Sequence, residues 1–259
     1  MDASWLYRID AFVLCMGLAV AMLLATLAGT VLARRARRRG MRDNSIRAVE
    51  GGLLGLLSLL LAFTFSGAAS RYDARGAMMI DTANAIRTAI QRTELYPDDA
   101  GAAIRADLAR YVDGHVALYR AEQDPSTREE IAARLTVLEN DIWERVAKLS
   151  HDPSNTLATG QMSPALDRMF GLSHTRQVAL AIHIPDVIVL LLFVMATATA
   201  LTSGYASALS GVVHPFGHLG FALLTALVVY VTLDLDRPGR GMIRRDAQEQ
   251  AFVTLTTSP

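Results

Sequence analysis

The 259-residue chain has one cysteine, Cys15, which excludes a disulfide framework and a cysteine-based metal centre. Its 25 basic and 25 acidic residues cancel, so bulk charge offers no attraction for nucleic acid. Lysine is nearly absent: Lys148 stands alone among the arginines, a bias of genome composition rather than mechanism. There is no GxSxG elbow, no Walker-type loop, no CxxC pair and no GxGxxG turn, so the common signatures of hydrolases, nucleotide binders and redox proteins are missing. Charge itself is missing from three stretches. Residues 11–33, 51–70 and 187–233 contain no Asp, Glu, Lys or Arg. All the charges are therefore compressed into the rest of the chain, which no ordinary soluble domain requires.

Those stretches have membrane dimensions. A bilayer core about 30 Å thick takes about 20 apolar residues in a helix, and only helices or closed barrels satisfy the backbone there. Residues 11–33 form a first expected span (TM1), and 51–70 a second (TM2). The third stretch is too long for one span and suits two. Gly204, Ser207, Ser210, Gly211 and Pro215 place the turn near 204–215, giving spans at 187–205 (TM3) and 216–234 (TM4). The N-terminal segment 1–10 is not basic, and the run after it exceeds a signal-peptide core of roughly 7–15 residues, so TM1 reads as a retained anchor. The loop 34–50 carries seven arginines in 17 residues. By the positive-inside rule that loop is cytoplasmic. Arg71, Arg75, Arg237 and Arg240 on the other side of the spans pull the opposite way.

Between TM2 and TM3, residues 71–182 read as a helical extramembrane domain. Met79, Ala83, Ile86 and Ile90 recur at helical spacing. So do Ile104, Leu108, Tyr111 and His115, and Ile131, Leu135, Leu138, Ile142, Val146 and Leu149. Ser126 with Glu129 reads as a capping box, and Ser163–Pro164 as the start of the next helix. Breaks are expected at Pro97, at 123–125 and across 151–160, and Pro185 marks the return to the membrane. Nothing interrupts the pattern between TM2 and residue 92, so TM2 is expected to continue as one long helix. A polar tail, 235–259, ends the chain. The fold class is all-α: four transmembrane helices with a helical domain between the second and third.

Few constellations carry chemistry. His214 and His218 are four apart, but Pro215 stands where a zincin helix would carry Glu, so a polar span entrance is the better reading. His115, His151 and His174 have no spaced carboxylate partners. No metal, no cofactor and no catalytic group is expected. Gly51 and Gly55 form a GxxxG pair that suits either packing on TM1 or an oligomer contact. Gly55, Leu59, Phe63 and Gly67 lie at four-residue steps with Ser66 and Ser70 toward the same side, a pattern that serves a pore lining, a lipid face or core packing. Asp234, Asp236 and Arg237 close TM4 and read first as an interfacial salt-bridge turn, second as part of a cation site.

The segment LLAFTFSGAASRYDARGAMMIDTANAIR, 60–87, resembles the second transmembrane helix and its extension in bacterial bestrophins. The matching residues are Leu61-Ala62-Phe63, Arg71-Tyr72, Ala74-Arg75, Asn84 and Arg87. The Asp-Leu-Asp-x-Pro end of TM4 resembles the acidic segment after that family's last span, and the chain as a whole looks still more like bacterial bestrophin-like proteins. The resemblance implies a bestrophin-like homo-oligomer, a pentamer, whose TM2 helices line an axial ion pore. Its apolar neck would fall on Gly55, Leu59 and Phe63, with Ser66, Gly67 and Ser70 beyond it. Arg71, Tyr72, Arg75 and Asn84 would lie at the pore mouth and along the helix extension. Gly55 stands where the family has a bulky neck residue, and the acidic calcium clasp of animal members is not visible beyond Asp234 and Asp236. The resemblance also implies a cytoplasmic helical domain, against the charge of loop 34–50.

The expected function is thus an oligomeric ion channel in a bacterial cytoplasmic membrane, whose partners are its own copies, lipid and inorganic ions. The alternative is a non-conducting, membrane-anchored helical sensor or scaffold. An enzyme has the least support.

Overall fold

The structure, a computed structural model of the chain, describes residues 9–38, 46–121, 124–211 and 213–237. Seven helices fill them: α1 Ala11–Arg38, α2 Ile46–Arg92, α3 Asp98–Arg120, α4 Pro125–Leu149, α5 Thr156–Ala181, α6 Asp186–Ser210 and α7 Pro215–Asp236. Short 3-10 turns at Thr93–Leu95 and Pro153–Asn155 link α2 to α3 and α4 to α5. The described residues contain no strand. Four helices, α1, α2, α6 and α7, are long and apolar enough to cross a membrane. The described residues divide into two compact units, one within 9–71 and 183–237, the other within 72–182. Residues 1–8, 39–45 and 238–259, which include much of the arginine-rich loop and nearly all of the expected tail, lie outside the described residues.

In the first unit α1, α6 and α7 bury Leu18, Met22, Val189, Leu192, Ala196, Ala222 and Val229 among themselves. Without a hydrophobic drive between helices in lipid, close backbone approach and side-chain hydrogen bonds hold such a bundle. Two glycines make the α1–α6 approach possible. A Cβ on Gly204 would sit 2.9 Å from the Thr26 Cα, and one on Gly29 would sit 2.9 Å from the Tyr205 amide nitrogen. Thr26 Oγ1 donates within its own helix to the Met22 carbonyl at 2.9 Å and reaches the Ala200 carbonyl at 3.3 Å. Gly204 therefore lies in a helix contact, not in the TM3–TM4 turn where it was expected. The turn begins at Gly211, which takes a left-handed conformation (φ 81°) that stops α6, and Pro215 opens α7.

In the second unit the distal part of α2 packs with α3, α4 and α5 around Met79, Ile86, Ile104, Leu108, Tyr111, Leu135, Ile142, Met162, Leu166 and Met169. The three helical stripes read from the sequence supply most of this core. Two helix starts differ from the sequence reading. Asp124, not Ser126, caps α4: its carboxylate accepts from the Ser126 amide at 3.1 Å and from the Ser126 and Thr127 hydroxyls, with Pro125 in the first helical position. A proline there has no amide to satisfy, so the residue before it becomes the cap. The helix expected to begin at Ser163–Pro164 begins at Thr156, and Pro164 lies inside α5. Asp152 turns the chain by accepting from the Ser154 amide at 2.9 Å, and α5 follows directly. Pro164 then forfeits one hydrogen bond, to the carbonyl of Gly160.

Candidate functional site

Among the four apolar helices, α2 is the least covered by its own chain. Only 17% of its most apolar window is buried, against 28–33% in α1, α6 and α7. Leu57, Thr64 and Ala68 are the buried positions of its first-unit portion, with Leu60 and Leu61 half-buried beside them. The opposite face carries Gly55, Leu59, Phe63, Ser66 and Ser70, all exposed, with Gly67 half-buried at its edge. Leu59 is 53% exposed and Phe63 68%. Gly51, Gly52 and Gly55 have nothing within 4 Å of a built Cβ. Packing of the Gly51–Gly55 pair on TM1 is therefore not what those glycines do within one chain. The face as a whole is apolar, small-residue-rich and uncovered by the described residues of its own chain.

This face is anchored at its polar end. Arg71 donates from Nε to Asp236 Oδ1 at 2.8 Å, and the other oxygen of the same fully buried carboxylate accepts from the Ile184 amide at 2.8 Å. Asp236 thereby joins α2, the restart of the chain before α6, and the end of α7. Asp236, read from the sequence as part of a salt-bridge turn, has a long-range partner in Arg71. Arg237, also buried, donates to the Ile9 carbonyl at 2.6 Å. Arg75 is buried too. Its guanidinium donates to the Ile182 carbonyl at 2.6 Å and the Ala179 carbonyl at 3.4 Å, closing the carbonyl end of α5. Tyr72 is half-buried and Asn84 exposed, with Arg87 3.4 Å from the Asn84 amide oxygen.

The described residues hold no group of three or more His, Cys, Asp or Glu placed to bind a metal. His214, exposed, precedes α7 as its N-cap residue, and His218 lies in the helix's first turn. The second unit has a buried polar line that the sequence did not reveal as one. Tyr111 donates to Glu139 at 2.7 Å, and its ring meets His115 edge-on at 4.6 Å. Ser173 lies 3.4 Å from His115 Nε2. Burial pushes the Tyr111 hydroxyl and the Glu139 carboxyl up. Burial, with the Arg176 charge added, pulls His115 down to about 3, so it is neutral near pH 7. A second buried carboxylate, Asp107, pairs with Arg110 on its own helix and with Arg145 of α4 at 2.6 Å.

A family model for the bestrophin-like domain matches residues 18–245. The chain belongs to the bestrophin-like family. Solved structures agree on the fold. A bacterial bestrophin homologue from Klebsiella pneumoniae matches at 15% identity with a TM-score of 0.69, covering 94% of this chain and 99% of the other. Two point variants of a Klebsiella pneumoniae bestrophin homologue match with TM-scores of 0.71 (15% identity, 94% and 99% covered) and 0.72 (13% identity, 100% of both covered). Comparison with curated protein sequences returns no match. The bestrophin-like assignment rests on most of the chain, well beyond the 60–87 segment that first pointed to it, and it makes this a membrane protein with an ion-channel-like fold.

Proposed function

We propose that this bestrophin-like protein assembles from identical copies, five by the family resemblance, into an ion channel in the bacterial cytoplasmic membrane. The α2 helices surround the axis. Leu59 and Phe63 form an apolar neck that gates by dewetting, and Ser66, Gly67 and Ser70 continue it. The observation that carries this reading is the uncovered face of α2. A face meant only for lipid gains nothing from glycine and serine, whereas small residues allow helices to approach. Gly55 in place of a bulky residue makes the neck two rings deep. Arg71, held by Asp236, shapes the mouth as a positioned group more than as a free positive charge.

The test is ion flux through purified protein in liposomes under an asymmetric salt gradient, wild type beside Phe63→Ala. Flux that rises on the substitution supports a neck at Phe63, and the reversal potential gives the sign of the permeant ion. No flux from either protein, with insertion and oligomeric state verified, removes the channel reading and leaves a sensor or scaffold. For orientation we adopt the cytoplasmic helical domain of the resemblance. A cysteine at exposed Ser154, in a Cys15→Ser background, is then protected from impermeant thiol reagents outside intact cells. Labelling there would reverse the orientation without touching the pore.

A further inference from the structure

The second unit contains a cavity of about 270 Å³ between α3, α4 and α5, and no step of ion conduction uses it. Its chemistry is uneven. Arg128 and Arg176 line it together with Ser173 and Gln177. Arg176 is almost fully buried, close enough to His115 for its charge to be felt there. The Arg128 Nε is buried and has no hydrogen-bond partner among the described residues. An arginine donor shut away from water without an acceptor is costly, and an acceptor from outside the chain would remove that cost.

The remaining wall sets the ligand class. Leu118, Ala132 and Leu180 are apolar. Among the described residues, Glu129 is the one acidic residue lining the cavity, and it is exposed. His115 contributes no positive charge near pH 7. Two guanidiniums lining one cavity match an anionic group. An apolar wall matches a hydrocarbon body better than a bare inorganic ion. Small-ligand sites commonly have this make-up, an apolar lining with a few convergent polar groups. Arginine's planar fork also suits a carboxylate.

We propose that this cavity is a binding site for a small organic monocarboxylate, its carboxylate held by Arg128 and Arg176 and its apolar body set against Leu118, Ala132 and Leu180. The site is built from other helices than α2, and its occupancy does not depend on conduction.

The test is binding to the purified full-length protein in detergent, read by saturation-transfer NMR and by thermal shift. The probes are butyrate, its neutral isostere butyramide, and inorganic phosphate. Saturable butyrate binding is expected, with butyramide at least tenfold weaker. Arg128→Gln should weaken butyrate at least tenfold. Ala132→Phe, which fills the cavity, should abolish binding, while Arg134→Gln, whose partner is the exposed Glu130, should leave it unchanged. Helicity and melting of each variant verify folding, and the two pocket variants act by different means. The proposal is overturned by absence of saturable butyrate binding, by binding indifferent to both pocket variants, or by binding of phosphate alone. Because no flux is measured, this result stands apart from the fate of the channel reading.

Discussion

At the residue scale, the most informative groups are charges and rings that the fold has taken out of water. Asp236 is fully buried with Arg71 and the Ile184 amide as partners. Removing the charged partner of a buried carboxylate is costly, because the carboxylate is left out of water without a compensating charge from Arg71. Arg71→Ala should therefore lower the denaturation midpoint sharply. Arg71→Ala with Asp236→Ala should recover part of the loss, because the stranded charge is gone. Equal losses for single and double variants would mean that the pair is not coupled. His115 offers a pH test. Its folded pKa is pulled far below the usual histidine value by burial and by Arg176, while Tyr111, Ser173 and the cavity residues Arg128 and Glu129 surround it. A histidine with a lowered folded pKa binds more protons when unfolded. Its contribution is therefore complete above about pH 6.5, the unfolded value, and is lost as pH falls toward 3 at about 1.4 kcal/mol per pH unit. Denaturation of the protein between pH 7 and 4 should show this slope, and His115→Gln should flatten it. A slope unchanged in the variant would assign the acid sensitivity elsewhere.

At the scale of elements, glycines divide into two kinds that the sequence alone did not separate. Gly51, Gly52 and Gly55 drew notice as a GxxxG pair, yet among the described residues nothing lies within 4 Å of a Cβ built on them. Gly29 and Gly204 are where α1 and α6 meet. Their signal was present as small residues at four-residue spacing, Ala25-Gly29-Ala33 and Ala196-Ala200-Gly204-Ala208, but such spacing also occurs on helices that touch nothing. Gly204→Leu should therefore prevent folding of the membrane unit, whereas Gly55→Leu should leave each chain folded and act, if the channel reading holds, on assembly or flux. Circular dichroism with size-exclusion chromatography separates the two effects, and a folded, unperturbed Gly204→Leu would refute the α1–α6 contact. Helix spans and core stripes were legible because a missing charge and a repeated Leu or Ile are local signals. Caps were less so: Ser126 and Glu129 match a capping box, but Asp124 before Pro125 competes for the same amides and wins. Asp124→Ala should lower the denaturation midpoint, because the Ser126 amide loses its acceptor. Hydrogen bonds from Thr127 and Ser126 hold the Asp124 carboxyl down to about 2. Its help is thus present above the usual carboxylate range and lost as pH falls toward 2.

At the scale of the whole molecule, the candidate site was legible in outline, and its anchoring was not. The four-residue recurrence of Gly55, Leu59 and Phe63 can be seen in the chain, and these residues do share one exposed face. That Arg71 would find Asp236 across 165 positions, or that Arg75 would turn inward to close α5, depends on contacts no local pattern encodes. What covers the α2 face is likewise a property of the assembly. Lipid and sister helices make different demands, and cysteine chemistry can tell them apart because Cys15 is the only native thiol and is itself buried. In a Cys15→Ser background, Phe63→Cys should cross-link copies of the chain under mild oxidation or with a short bifunctional thiol reagent. Phe12→Cys is a matched control, since Phe12 is similarly exposed, at 61%, on α1, whose first-unit neighbours are α6 and α7. An axial α2 brings copies of position 63 toward one another and makes no such demand on position 12. Ladders on a denaturing gel from Phe63→Cys alone would favour the axial arrangement. Ladders from both positions would point to random collision, and none from Phe63→Cys would place the uncovered face of α2 against lipid and end the case for a pore along it.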